Sequence, residues 1–237
     1  MSAKATIGID IGGTSVRAAV IGADLQIRAS VRDLTPHTER ETEDLLVTLI
    51  AKLAATQQVS AVGLAIAGFL SRDQQKVMFA PHLAWRDADV PERISGRVNL
   101  PVVMDHDVNS AAWAEYQHGA SAGASISLLI ALGTGIGAGL IIDGQIYRGA
   151  YGVAPELGHL TVVPNGRPCP CGKRGCWERY CSGTALAETA RGLMGAGDAP
   201  ILRQLSGDDP SAVGDLMQEL ERAWRRWVKQ GRDQWGG

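Results

Sequence analysis

His159, Cys169, Cys171 and Cys176 fall within eighteen residues of one another. Thiolate and imidazole are the donors that hold Zn²⁺ tetrahedrally, and four of them close a structural site. Gly172 and Gly175 allow the short segment between the sulfurs to turn back on itself. Glu156 stands three residues before His159 and Glu178 two residues after Cys176, so a metal that pins this loop also fixes two carboxylates. A second set of residues suits phosphate. Asp10 ends an apolar run and Gly12-Gly13-Thr14 follows it. Glycines let backbone N–H groups approach anionic oxygens, a Thr hydroxyl adds a donor, and the acid can hold Mg²⁺ or its water shell. Gly133-Thr134-Gly135 offers a similar cradle far downstream. Asp107 lies just beyond another apolar run, where a carboxylate can take the proton of a hydroxyl attacking a phosphoryl group. It can equally cap the helix that follows. A single glycine turn is usually only a turn; two in equivalent places argue for a shared task.

The elements that must carry these groups alternate between strands and helices, which makes the chain α/β. Strands are expected at 6–10, 16–21 and 26–30, and again at 126–132, 139–142 and 145–147. Asp143-Gly144 is a strong hairpin signal. Both regions read strand, glycine turn, strand, tight turn, strand, and this repeated plan places a domain boundary near residue 110. Between them, leucines 45, 46, 49 and 53 give residues 41–55 a helical period. Strands follow at 60–66 and 100–104, then helices at 109–118, 183–194 and 212–229. Residues 133–138 fit the relaxed dinucleotide pattern Gly-x-Gly-x-x-Ala, but that pattern must open a helix. Here a hairpin follows, so the dinucleotide reading is rejected. Neither glycine turn ends in the Gly-Lys-Ser/Thr of a P-loop.

With 237 residues, 45% apolar, 20% charged and a net charge of −2, the chain can bury a core. It gives no electrostatic reason to expect nucleic acid or an anionic membrane. Apolar runs are too short to span a bilayer, and no basic-then-apolar leader precedes the first strand. All four cysteines lie between 169 and 181, which suits a metal loop in a reducing cytoplasm better than two disulfides. Cys181 matches no ligand position and is expected to be small and buried.

Asp10-Ile-Gly-Gly-Thr14, Asp107-Val-Asn109, Leu132-Gly-Thr-Gly-Ile-Gly137, Glu156-Leu-Gly-His159 and Cys169-x-Cys-Gly-x-x-Gly-Cys176-Trp-Glu178 occur in that order. In these motifs, from residue 6 to about 185, the chain resembles the ROK family of bacterial sugar kinases, on its ATP-dependent glucokinase side. The resemblance implies an actin-like ATPase (ribonuclease-H-like) fold with two domains around a cleft. These would be 1–110, with the first phosphate turn, and 111–237, with the second turn and the zinc loop. It implies transfer of the γ-phosphoryl of ATP, with Mg²⁺, to the 6-hydroxyl of glucose. Asp107 would be the general base. Gly68, His106, Glu156, His159 and Glu178 would meet the sugar, and Asp10, Gly12, Gly13, Thr14, Gly133, Thr134 and Gly135 the phosphates. His159, Cys169, Cys171 and Cys176 would hold a structural Zn²⁺, with His159 using one ring nitrogen for metal and the other for sugar. The family also implies a homo-oligomer, dimer or tetramer. Its sugar-responsive repressors carry a DNA-binding segment ahead of the first strand, for which residues 1–5 leave no room.

The chain departs from the family pattern in four places. Asp105-His106-Asp107 stands where Glu-Asn-Asp is usual, and Pro81-His82 where Pro-Asn is usual. Ser15 replaces a common lysine. These positions bear on which hexose is taken, with N-acetylmannosamine and fructose as alternatives to glucose. Fourth, family members continue past residue 237 with a Gly-rich segment that covers adenosine. A C-terminally truncated second domain is therefore expected, which keeps polyphosphate open as donor and a catalytically impaired sugar-binding remnant open as an outcome. Trp224, Trp227 and Val228 would form one face of the tail helix, with basic residues around it.

Overall fold

The computed structural model describes residues 5–197 and 200–207. Its largest sheet has five strands: β1 (Ala5–Ile11), β2 (Ser15–Ile21), β3 (Ile27–Leu34), β4 (Val59–Ile66) and β8 (Val102–His106), ordered β3-β2-β1-β4-β8. The first three form an antiparallel meander, while β4 and β8 lie parallel to β1. Alternation decides which face is covered. Ile7, Ile9, Ile11, Val16, Val20, Val62, Leu64 and Ile66 are buried on one side, together with Leu46, Leu49, Ile50 and Leu53 of α1 (Glu39–Ala54) and Ile94 of α2 (Val90–Val98). Each such side chain contributes roughly 1.5–3 kcal/mol when fully buried. The other face carries Gly8, Ala19, Gly63 and Ala65, which line an open groove of about 860 Å³.

Helix α1 starts where its sequence says it should. The Thr38 hydroxyl accepts the Glu41 N–H at 3.2 Å and donates to the Glu41 carboxylate at 2.8 Å, so one orphan donor is satisfied and a carboxylate sits at the positive helix end. Helix α2 has Pro91 in its first turn and ends on Asn99 in the left-handed region, φ +52°. Between β4 and α2 lies a small antiparallel sheet, β5 (Phe69–Leu70), β6 (Val77–Phe79) and β7 (Arg86–Ala88), that sequence periodicity did not reveal because its strands are so short. The Arg86 guanidinium stacks on Phe79 and donates to the carbonyls of Ala80, Leu83 and Trp85, which clamps the loop bearing His82.

The third sheet is ordered β11-β10-β9, with β9 Ile126–Leu132, β10 Ile136–Ile142 and β11 Gln145–Ile146. Asp143 (φ +48°) and Gly144 (φ +77°) form the expected two-residue turn, with Ile142 opposite Gln145. The glycine turn at 133–135 opens a strand, not a helix, in keeping with rejection of the dinucleotide pattern. Helix α3 (Asp107–His118) packs on β10 at Gly139, where a Cβ would lie 2.6 Å from the Ala112 methyl.

By compactness the described chain divides into two units, 5–129 with 138–155, and 130–137 with 156–197 and 200–207. The second contains a 3₁₀ turn (Leu157–His159), the cysteine loop, α4 (Glu178–Cys181), α5 (Gly183–Ala196) and α6 (Pro200–Leu205). Two sequence expectations need correction. The strand expected at 100–104 runs instead over Val102–His106, so Asp105 and His106 are in the sheet and Asp107 opens the helix. Cys181 is exposed, not buried, because it ends the single-turn α4, none of whose residues is buried. The helix expected at 212–229, with Trp224, Trp227 and Val228, lies outside the described residues.

Candidate functional site

In the first unit the acidic groups are set by strand register. Asp10 is aligned with Ala65, and Ala65 with Asp105. The two acids therefore lie one residue before the ends of β1 and β8, either side of β4 and about 10 Å apart at the backbone. Ligand-binding groups of α/β proteins sit at such carboxyl ends. One residue further along, His106 ends β8 and Asp107 begins α3. The helix-cap position falls to His106, and the Asp107 Oδ1 accepts the adjacent Val108 N–H, at 2.8 Å. Its carboxylate is thus not used as a helix cap. His106 Nδ1 lies 3.2 Å from the same oxygen. Burial, and after it the negative charge of Asp107, push the Asp10 carboxyl above its ordinary value, with Arg17 pulling the other way. The Asp107 charge is thus felt at Asp10, which places the two carboxylates on the same side of the site.

The first glycine turn is held from outside. Gly12 N–H bonds to Ser15 O at 3.1 Å, and the Thr35 hydroxyl donates to Gly12 O at 2.6 Å. A Cβ on Gly13 would lie 2.5 Å from the His82 Cβ, so the clamped His82 loop rests directly on the first glycine turn. Gly68 is equally tight: a Cβ there would meet Ala80 at 2.8 Å. Sequence reasoning gave no weight to Asp105 and Arg148 as a pair. The Arg148 guanidinium forms an ion pair with Asp105, which also accepts the His106 N–H at 2.8 Å and the Asn109 side chain at 3.4 Å. The two residues are far apart in sequence, and no local motif signals their meeting.

In the second unit the four expected metal ligands come together. Their donor atoms lie within 4.8 Å of one another; His159 Nδ1 is 3.6 Å from Cys169 Sγ, and Cys171 Sγ is 3.6 Å from Cys176 Sγ. Tetrahedral Zn²⁺ with bonds of about 2.0–2.3 Å requires ligand separations of about 3.5–3.8 Å; the two 3.6 Å pairs meet this, and the wider separations, up to 4.8 Å, must close by about 1 Å for a metal to be held. The loop geometry explains the glycines: Gly172 and Gly175 have φ of +88° and +78°, and a Cβ on Gly175 would collide with the Val163 carbonyl. Burial, then the neighbouring thiols, push Cys176 up to about 11. Burial opposes ionisation of Cys171 too, but the Lys173 N–H and the adjacent thiols hold it below its ordinary value. A metal bound here would need these thiols ionised, so its binding would release protons.

The same unit surrounds the second glycine turn. Gly158 has no room for a Cβ against the Ile136 carbonyl, Gly183 N–H bonds to Gly133 O at 2.8 Å, and the Thr184 hydroxyl donates to Thr134 O at 2.8 Å. The Glu178 carboxylate accepts the Ile136 N–H at 2.9 Å. Glu156 precedes the 3₁₀ turn, and its carbonyl accepts the His159 N–H at 3.1 Å. Among the described residues, no helix is long and apolar enough to cross a membrane.

A sequence profile of the ROK family matches residues 6–223. A glucokinase of Streptomyces coelicolor is 39% identical over 88% of this chain and 66% of its own length, so the chain spans just under two thirds of that relative. An N-acetylmannosamine kinase of Escherichia fergusonii is 33% identical over 94% of this chain and 77% of its own length. Among solved structures, a ROK family glucokinase from Streptomyces griseus, in complex with glucose and AMPPNP, is 38% identical with a TM-score of 0.80. That match covers 92% of this chain and 71% of the other. The fold is that of these ROK sugar kinases, the actin-like ATPase fold.

Proposed function

The chain belongs to the ROK family, and from that premise we propose that it serves an ATP-dependent hexose kinase of glucokinase type, passing the γ-phosphoryl of ATP to the 6-hydroxyl of glucose. The observation that carries the reading is Asp107, a carboxylate at the start of α3 whose charge reaches Asp10 at the end of β1. Asp107 takes the proton of the sugar hydroxyl as its oxygen attacks phosphorus. Gly12, Gly13 and Thr14, and separately Gly133, Thr134 and Gly135, offer backbone and hydroxyl donors to phosphate oxygens. Asp10 is the group to hold Mg²⁺ or its water shell, and that ion, when bound, neutralises charge on the phosphates. Gly68, His106, Glu156, His159 and Glu178 are assigned to the sugar. His159 presents Nδ1 to the thiols, which leaves Nε2 for a hydroxyl; zinc, when bound, fixes that tautomer. The thiol cluster also argues for a reducing, cytoplasmic setting.

A coupled assay for glucose 6-phosphate on zinc-loaded protein tests this. Turnover with glucose is expected, and Asp107→Asn should lower it by about 10²–10⁴-fold without loss of fold. Background turnover in the parent protein, or an Asp107→Asn variant as active as the parent, overturns it. A second reading keeps the base and changes the sugar. It rests on His82 and His106, and on the similarity to an N-acetylmannosamine kinase; a panel of glucose, N-acetylmannosamine and fructose decides between them. Measurable sugar affinity by calorimetry, with none for AMPPNP, would instead identify a sugar-binding remnant.

A further inference from the structure

We propose that Glu178 is a positioning residue for the second glycine turn, fastening that turn to the cysteine loop so that metal at the four-ligand cluster governs the backbone of residues 133–136. What that turn holds rests on the kinase reading; the fastening itself does not.

The connection from metal ligand to turn has little slack. Cys176 is fully buried and bridges to Thr161. The next residue, Trp177, donates its N–H to Leu160 O at 2.8 Å. Glu178 follows at once, and its Oε2 accepts the N–H of buried Ile136 at 2.9 Å. A carboxylate on a buried backbone donor is a charge-assisted bond, and its loss leaves that donor unsatisfied. Gly135 makes the approach possible: a Cβ there would occupy the place of Oε2 itself. Beyond Glu178, Ser182 caps α5 and accepts the Ala185 N–H at 3.1 Å. Gly183 and Thr184 then take the Gly133 and Thr134 carbonyls. Three positions of the turn, 133, 134 and 136, are thus tied to the seven residues 178–184, which begin two positions after Cys176. Glu178 has a second carboxylate oxygen, so contact with the turn and contact with a sugar hydroxyl are compatible.

The test is hydrogen–deuterium exchange of a peptide covering 133–140, on the zinc-loaded full chain and its variants. Glu178→Ala should speed exchange at Ile136 about tenfold or more. Glu178→Gln keeps an oxygen acceptor and should stay within about threefold of the parent. Gly135→Ala should reproduce Glu178→Ala, because its methyl group displaces the carboxylate while Glu178 remains present. The double variant should be no worse than either single one. Chelation of zinc from the parent should speed the same peptide. AMPPNP·Mg²⁺ affinity should fall with Glu178→Ala and hold with Glu178→Gln. Unchanged exchange in Glu178→Ala overturns the proposal, as does protection at 133–140 that survives chelation. If Glu178 serves only the sugar, both its variants weaken glucose binding and the exchange pattern stays as in the parent, which also overturns it. Failure of the kinase reading appears separately, as absent turnover in a protein whose exchange still answers to Glu178.

Discussion

Asp10 carries a cost that its position explains. Burial and the facing Asp107 charge raise its carboxyl above the ordinary carboxylate value, with Arg17 only partly offsetting them. A raised folded-state value means that folding favours the protonated acid. Its contribution is fully present below the unfolded value, near 3.8, and is lost as pH rises through the folded one. At pH 7 the ionised group therefore destabilises the chain. Asp10→Asn should raise Tm at pH 7 and give no gain at pH 3.5. The side chain is still exposed, so solvent screens much of the penalty and the gain should be about 1–2 °C. Thermal melts at the two pH values check this, and an equal shift at both would count against the cause given. The same variant should lose phosphoryl transfer, since stability given up at a site is commonly function gained there.

At the scale of elements, the β8–α3 junction decides where Asp107, the proposed base, points. Asp105 in β8 holds the His106 N–H and the buried Asn109 side chain, while Arg148 after β11 neutralises it. Gly139 of β10 lets α3 seat closely. Arg148→Met would leave Asp105 charged, half-buried and without its cation, so the junction should shift. We expect kcat for hexose phosphorylation to fall about 10–100-fold, with KM moving less. Arg148→Lys should recover part of the loss, because a point charge cannot reproduce the guanidinium fork. Steady-state kinetics of both variants check it; a change confined to KM would move Arg148 from positioning to sugar binding. This junction marks where sequence stopped being informative. Alternating apolar residues made β1, β2, β4 and β9 legible, the leucine period did so for α1, and Asp143-Gly144 for the hairpin. The cluster of four donor side chains was legible because its members sit within eighteen residues. The pairs Arg148–Asp105 and Glu178–Ile136 were not, because their partners are 43 and 42 positions apart and meet only through the topology. The three strands of residues 69–88 are two or three residues long, too short for a period to register.

For the whole molecule, the two compact units are held by different forces. The first has a continuous apolar core, running from Ile7 and Ile9 through Leu46 and Ile50 to Trp85 and Ile94. In the second, the described residues bury Ile136, Ala185, Ala187, Ala190 and Met194, together with the thiols of Cys169 and Cys176, so the cysteine loop itself contributes much of what is buried there. There we expect the four-donor cluster, once it holds a metal, to stabilise the loop that carries it. Structural zinc contributes about 10–16 kcal/mol of apparent binding energy in small zinc-dependent folds, and Cys176, pushed up to about 11 by burial and its neighbours, holds its proton at neutral pH without a cation. Strong chelation should therefore unfold the segment 156–196, with its amides exchanging freely and helix signal from α4 and α5 lost. Protection in β1, β2 and β4 should be unchanged. Adding back one equivalent of Zn²⁺ should restore the segment. Exchange mass spectrometry with and without chelator reads both parts in one experiment. Retained protection across 156–196 after zinc is removed would mean that packing alone sustains the second unit. Equal loss in both units would mean that the apolar core of the first does not stand by itself.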